Sequence, residues 1–194
     1  MADAQMIQLA RDINARCRLH GSFVLRSGQI ADEYFDKYLF EADPLLLRRV
    51  AEQMTGLVPP DAQVLGGLEL GGVPIAAMLS QLTGLPALFV RKQAKEYGTR
   101  KLAEGDDPAG EHVVLIEDVI TTGGAVIAAA SALRHLGATV TTVICAIDRS
   151  APGQSLLPAG GITVRAVLTK ADLDATQEPA SGTHIHDDSR EQIT

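Results

Sequence analysis

Cysteine is scarce in this 194-residue chain: Cys17 and Cys145 are the only two. They form no metal-ligand spacing, and no disulfide framework is expected from them. Cys145 lies in the apolar run Val140–Ile147 and reads as a small core residue. Cys17 has no base placed near it by the sequence and reads as core rather than as a nucleophile. No run reaches the roughly 18 apolar residues that a membrane span needs. Met1–Leu9 has neither the basic region nor the long apolar run of a secretory leader. Basic charge is in deficit as well, with 17 Lys and Arg against 24 Asp and Glu and a net charge of −7. That balance argues against wholesale nucleic-acid binding. It leaves room for a small anion met by a local basic cluster. The expectation is a cytoplasmic protein with neither nucleic acid nor membrane as partner.

What remains is ordinary for a globular enzyme: 46% apolar residues and a mean hydropathy of +0.10. The length suits one compact α/β domain with a substantial core. Asp3–Leu19 has helical apolar spacing, and His20-Gly21 ends it. Phe23–Leu25 and Tyr34–Leu39 read as short strands around the turn Arg26-Ser27-Gly28-Gln29. Pro44 suits a first helical turn, with a helix to about Thr55. Val64–Gly67 reads as a strand, followed by the glycine-rich loop Glu69-Leu70-Gly71-Gly72 and a helix from Pro74 to Leu82, stopped by Gly84. Leu88–Val90 is a further strand. Lys92–Pro108 is polar, charged and too long for a simple turn, as lids and binding loops often are. Buried parallel strands are expected at His112–Ile116, Val140–Ile147 and Val164–Leu168, with a helix over Ala125–Leu136 closed by Gly137. This βαβ rhythm predicts a central parallel sheet flanked by helices. Residues 1–175 are read as one domain, and 176–194, polar and aperiodic, as a disordered tail.

The segment Val113–Ala125, VVLIEDVITTGGA, carries the chemistry. An apolar strand leads to an acidic pair, Glu117-Asp118, and then to a Thr/Gly loop that opens a helix. Ligands in open α/β sheets bind at such carboxyl ends. Backbone N–H groups and hydroxyls from Thr121 to Ala125 can surround one phosphate, with the helix dipole behind them. Two carboxylates beside a phosphate repel it unless something lies between. Ribose hydroxyls can donate to them, and Mg²⁺ can bridge charge through water. A ribose phosphate meets both needs. No G-x-G-x-x-G and no G-K-[ST] is present, so neither a dinucleotide loop nor a P-loop explains the segment.

The segment resembles the phosphoribosyl pyrophosphate (PRPP) signature of the type I phosphoribosyltransferases. Three more segments narrow the likeness. Gly21–Gly28 with Tyr34-Phe35-Asp36 resembles the N-terminal signature of the orotate phosphoribosyltransferases. Phe89–Gly98 resembles the start of their catalytic loop, and Asp148-Arg149 stands where they carry an orotate-binding arginine. The likeness runs over roughly residues 20–170. It implies the type I phosphoribosyltransferase fold, with a small N-terminal hood and a mobile catalytic loop. It also implies transfer of ribose 5-phosphate from PRPP to orotate, giving orotidine 5′-phosphate and pyrophosphate.

By that resemblance Lys95, Glu117 and Asp118 are the catalytic candidates. PRPP would be held by Arg26, Leu70, Gly71, Arg91, Lys92, Lys95, Tyr97 and the run Glu117, Asp118, Val119, Ile120, Thr121, Thr122, Gly123, Gly124 and Ala125. Orotate would meet Arg26, Tyr34, Phe35, Thr121 and Arg149, whose planar fork suits its carboxylate. Mg²⁺ would be held mainly through PRPP, with no protein ligand assigned. The basic loop, with Arg91, Lys92, Lys95, Arg100 and Lys101, would close over pyrophosphate, reaching into the partner's site of a homodimer. Arg26 and Tyr97 stand where relatives often have lysine and histidine, and Gly71 where some have lysine. Two other readings stay open: a purine phosphoribosyltransferase, which has no evident need of Arg149, and a PRPP-sensing regulator without catalysis. His184, His186, Asp187 and Asp188 read as solvated tail residues.

Overall fold

The computed structural model describes residues 4–25, 27–93 and 102–176. The elements in chain order are α1 (Ala4–Cys17), β1 (Arg18–Val24), β2 (Ile30–Phe35), α2 (Tyr38–Glu41), α3 (Pro44–Thr55), β3 (Val64–Leu68) and α4 (Gly72–Thr83). They continue with β4 (Ala87–Val90), β5 (Ala103–Glu104), β6 (Val113–Ile120), α5 (Gly124–His135), β7 (Thr142–Asp148), β8 (Thr163–Thr169) and α6 (Lys170–Ala175). A six-stranded sheet has the order β5-β4-β3-β6-β7-β8. All neighbours in it are parallel except the edge pair β4–β5. β1 and β2 form a separate antiparallel hairpin.

Alternation along β6 divides the core. Val114 and Ile116 point into one apolar cluster, with Leu9, Phe40, Val50 and Leu79 from α1 to α4. Val113 and Leu115 point into the other, with Val126, Ala130 and Leu133 of α5. All four strand residues are fully buried, which is why a continuous apolar run and not an alternating one marks this strand. The two cysteines are buried on opposite faces. Burial pushes the Cys17 thiol up to about 12.

Helix ends follow local chemistry. Asp43 caps α3, accepting from Leu45 N at 3.0 Å and Leu46 N at 3.1 Å, with Pro44 in the first turn. Thr169 and Asp172 cap α6 reciprocally. That helix was not expected, since only its cap marks it. Tyr34–Leu39 is not one strand. The strand is Ile30–Phe35, and the chain turns into the short helix Tyr38–Glu41. Four residues are too few for helical periodicity to show. β6 also runs past the expected Ile116, carrying the acidic pair within the strand.

β3 and α4 touch without side chains between them. A Cβ on Gly67 would lie 2.7 Å from Ala76 Cβ and 2.7 Å from Gly72 O. This contact sets where α4 begins, two residues before Pro74. Gly67→Ala should therefore force the pair apart and cost about 1–3 kcal/mol, as overpacking does. Urea unfolding would show it as a lowered midpoint; an unchanged midpoint would mean the helix shifts freely.

Candidate active site

Four strand ends meet along one edge of the sheet. β4, β3, β6 and β7 are parallel neighbours, ending at Val90, Leu68, Ile120 and Asp148. The residues that follow them, Arg91 and Lys92, Glu69 to Gly71, Thr121 to Ala125, and Arg149, therefore share one rim. Val119 and Ile120 contribute differently from the rest. Ile120 is buried in the α5 cluster and Val119 packs on the other, so their side chains serve the core.

The 121–125 loop is shaped from beneath. Gly123 is buried, with φ 82, and precedes α5. A Cβ there would meet Leu157 Cγ at 2.5 Å, and any other residue would be strained in this left-handed conformation. Leu156 N donates to Thr122 O at 3.0 Å. No side chain caps α5, so its first N–H groups remain for an anion, at the positive end of the dipole. Thr121, Thr122, Gly124 and Ala125 are exposed.

Behind the loop lies a buried charge cluster. Glu117 and Glu41 are nearly buried and Asp118 is 0% exposed. Both Asp118 oxygens are engaged. Val119 N donates to Oδ1 at 2.5 Å, and Lys37 Nζ lies 2.5 Å from Oδ2. Asp118 N donates to Glu117 Oε1 at 3.1 Å. Glu41 Oε1 and Asp118 Oδ2 both crowd the space where a Gly71 side chain would start.

Three carboxylates facing one ammonium cannot all stay ionised in such a place. Burial, and then the hydrogen bond and charge of Asp118, push the Glu117 and Glu41 carboxyls up. Burial also opposes charge on Asp118, but hydrogen bonds from Glu117, Glu41 and Lys37 outweigh it and hold its pKa down. For Lys37 burial works against the ammonium, and the Asp118 contact outweighs it, raising the pKa. As a bare carboxylate, Glu41 Oε1 would be a buried acceptor without a donor among the described residues, set against Asp118 Oδ2, whose donor is the Lys37 ammonium. A proton on Glu41 makes it a donor to Asp118 and removes that conflict.

A second shelf lies beside the first. The Arg149 guanidinium carbon stands 5.2 Å from the Phe35 ring centroid. Arg149 N donates to Ile120 O at 2.8 Å, tying this residue to the end of β6. Tyr34 is 45% exposed and its ring lies 5.6 Å from that of Phe23. On the other side, Glu69 accepts from Lys92 N at 2.9 Å. A cleft of about 190 Å³ there is lined by Glu69, Arg91, Lys92 and Ala125. The Glu69–Leu70 peptide is cis.

Residues 45–155 match the phosphoribosyl transferase domain family. An orotate phosphoribosyltransferase of Nocardioides sp. is 68% identical over 88% of this chain and 95% of its own length. The chain belongs to the orotate phosphoribosyltransferase family. Its fold is that of Mycobacterium tuberculosis H37Rv orotate phosphoribosyltransferase in complex with Fe(III) dicitrate. That structure has a TM-score of 0.77 and 32% identity, covering 87% of this chain and 98% of that one. The same enzyme in complex with PRPP has a TM-score of 0.73 and 28% identity, covering 88% and 99%.

Most residues expected of an orotate phosphoribosyltransferase site gather at this rim: Leu70, Gly71, Arg91, Lys92, the 117–125 run and Arg149, with Phe35 packed on Arg149 and Tyr34 beside it in β2. Arg26, Lys95 and Tyr97 lie outside the described residues. Lys37 and Glu41 were missed. Lys37 follows the family-like Tyr34-Phe35-Asp36, but nothing local says that it reaches β6.

The charge state of Glu41 can be tested by pH. A carboxyl whose pKa is raised on folding stabilises the fold at low pH. That contribution is lost as pH climbs from the ordinary value of 4.5 through the raised one. Glu41→Gln supplies a donor without needing a proton. Its melting temperature should rise relative to wild type between about pH 5 and about pH 9. A difference independent of pH would mean that Glu41 is ionised in the folded protein.

Proposed function

We propose that this chain transfers the ribose 5-phosphate of PRPP to orotate, giving orotidine 5′-phosphate and pyrophosphate in pyrimidine (UMP) biosynthesis. One observation carries the reading: two shelves of different chemistry adjoin on one rim. The 117–125 segment offers amide donors for a phosphate and carboxylates for sugar hydroxyls. Arg149, held over Phe35, offers a planar fork for a carboxylate on a flat ring, and among the described residues no carboxylate pairs with it.

The reaction needs no protein nucleophile. A ring nitrogen of orotate displaces pyrophosphate from C1 of the ribose. The 121–125 amides fix the 5-phosphate, and Glu117 and Asp118 orient the ribose and face the positive charge that develops on it. Arg149 sets the orotate ring, with Tyr34, Phe35 and Thr121 beside it and Arg26 from the preceding turn. The amides of Leu70 and Gly71, with Arg91, Lys92, Lys95 and Tyr97, receive the leaving pyrophosphate. Closure of the basic loop excludes water.

Mg²⁺ keeps much of its water and takes few protein oxygens. Among the described residues no cluster of three or more ligating side chains could cage it. Mg²⁺ would be held mainly through PRPP itself. Bound there, it would supply positive charge to offset that of the departing pyrophosphate. The protein works in the cytoplasm as a homodimer, with Lys95 serving the partner's site. Residues 1–175 act as one domain, and the tail from 176 onward takes no part in the chemistry.

The defining assay is orotate consumption with PRPP and Mg²⁺. Turnover of adenine or hypoxanthine with orotate untouched would overturn the proposal. Arg149→Ala should weaken orotate recognition by about 1.5–3 kcal/mol while calorimetric PRPP binding changes little. An equal loss of both would make Arg149 structural. Sharing of the site is tested by refolding Lys95→Ala with Asp118→Asn. Mixed dimers carry one intact site each, so activity should recover to about a quarter of wild type. Verified mixed dimers without activity would mean that the loop serves its own subunit.

A further inference from the structure

Asp118 is fixed by a residue that lies far from it in the chain. Its side chain is fully buried at the end of β6, and the cation that touches it among the described residues is Lys37, at the start of α2. The two oxygens are held separately. Oδ1 takes the amide of Val119, and Oδ2 takes the Lys37 ammonium. The carboxylate cannot swing without losing one of them.

Residue 71 enters the same geometry. A Cβ there would run into Asp118 Oδ2 and Glu41 Oε1. The carboxylate thus occupies the space that glycine leaves, and a longer side chain at 71 is incompatible with this orientation. No cation can stand there, yet the Lys37 ammonium is one ion-pair distance from the atom that fills the space.

We propose that Lys37 is a positioning residue for the ribose of PRPP: its ammonium holds the buried Asp118 carboxylate beneath Gly71, in one orientation, ready to accept from the sugar hydroxyls once PRPP moves the 69–71 loop aside. The inference rests on the proposed function only in taking PRPP as the ligand. The groups facing Asp118 among the described residues are Glu117 on its own strand, Lys37 and Glu41, and the Cys145 thiol of β7. Asp36 and Tyr38 flank Glu41 and Lys37. Every one of these apart from Lys37 is neutral or acidic, so removing the ammonium takes away the one cation that faces Asp118 among the described residues. The Asp118 pKa then rises, so its charge is held less well at lower pH than at higher, and the carboxylate loses one of the two contacts that orient it.

The test is calorimetric binding of PRPP, with Mg²⁺, to the full-length chain and to Lys37→Met and Lys37→Arg over a range of pH. Inorganic phosphate serves as a control for the 121–125 loop. Near neutral pH, Lys37→Met should bind PRPP about tenfold or more weakly, the loss expected for a charge-assisted contact. The loss should shrink as pH rises, and phosphate binding should be unchanged. Lys37→Arg should stay within about threefold of wild type, because the charge is kept. Wild-type affinity of Lys37→Met at every pH overturns the proposal. So does an equal, pH-independent loss in both variants, or a parallel loss of phosphate binding, since each makes Lys37 merely structural. If the wild type binds PRPP but leaves orotate unchanged, the proposed function fails while the inference about Lys37 stands.

Discussion

A carboxylate with no exposed surface, at the end of a buried strand, is the constraint around which this site is built. Asp118 would not remain ionised there alone, since removing a charge from water costs several kcal/mol even after relaxation. Its charge survives because an amide and an ammonium hold it, while burial and its own charge raise the pKa of the neighbouring Glu117 and Glu41 carboxyls. The positions of Lys37, Glu41 and Gly71 all follow from that need. α2 must deliver a lysine and a glutamate to β6, and β3 must be followed by a residue without a side chain.

The sheet makes such an arrangement possible. β6 lies at the centre, buried on both faces, so its end is fixed by two apolar clusters. Gly67 and Gly72 let α4 press directly on β3 and β6, bringing the 69–71 loop beside the acidic pair. Leu157 fills the space under Gly123, and Leu156 ties the chain after β7 to Thr122. That link seats Arg149 against the same loop. The phosphate shelf and the arginine shelf therefore lie on one rim, tied together by packing and backbone hydrogen bonds.

Much of this was legible in the sequence wherever the signal was local. The strand–acid–Thr/Gly–helix segment holds its meaning in thirteen consecutive residues, and the structure keeps it as β6, loop and α5. Arg149 was singled out by the resemblance at Asp148-Arg149, directly after an apolar strand, and the structure places it after β7 on the rim. What was not legible depends on contacts distant in the chain. Lys37 meets Asp118 across 81 positions, and no pattern near either residue announces the pair. α2 was hidden because Tyr38–Glu41 is one turn long and its apolar residues extend those of β2. β5, with two residues, gives no periodicity. Gly71 stood out in the sequence only as a position where some relatives have lysine; the structure gives the glycine a steric reason, because Asp118 and Glu41 occupy the place of its side chain.

The central claim is that the buried carboxylates at the end of β6 read the hydroxyls of a ribose phosphate. Calorimetric titration of the wild-type protein with ribose 5-phosphate and with 2-deoxyribose 5-phosphate tests it directly. The phosphate contacts are common to both ligands, and only the 2-hydroxyl differs. A hydrogen bond to a charged acceptor predicts that ribose 5-phosphate binds about tenfold more tightly. Equal affinity for the two sugars would contradict the account, since the carboxylates would then not be reading the hydroxyl.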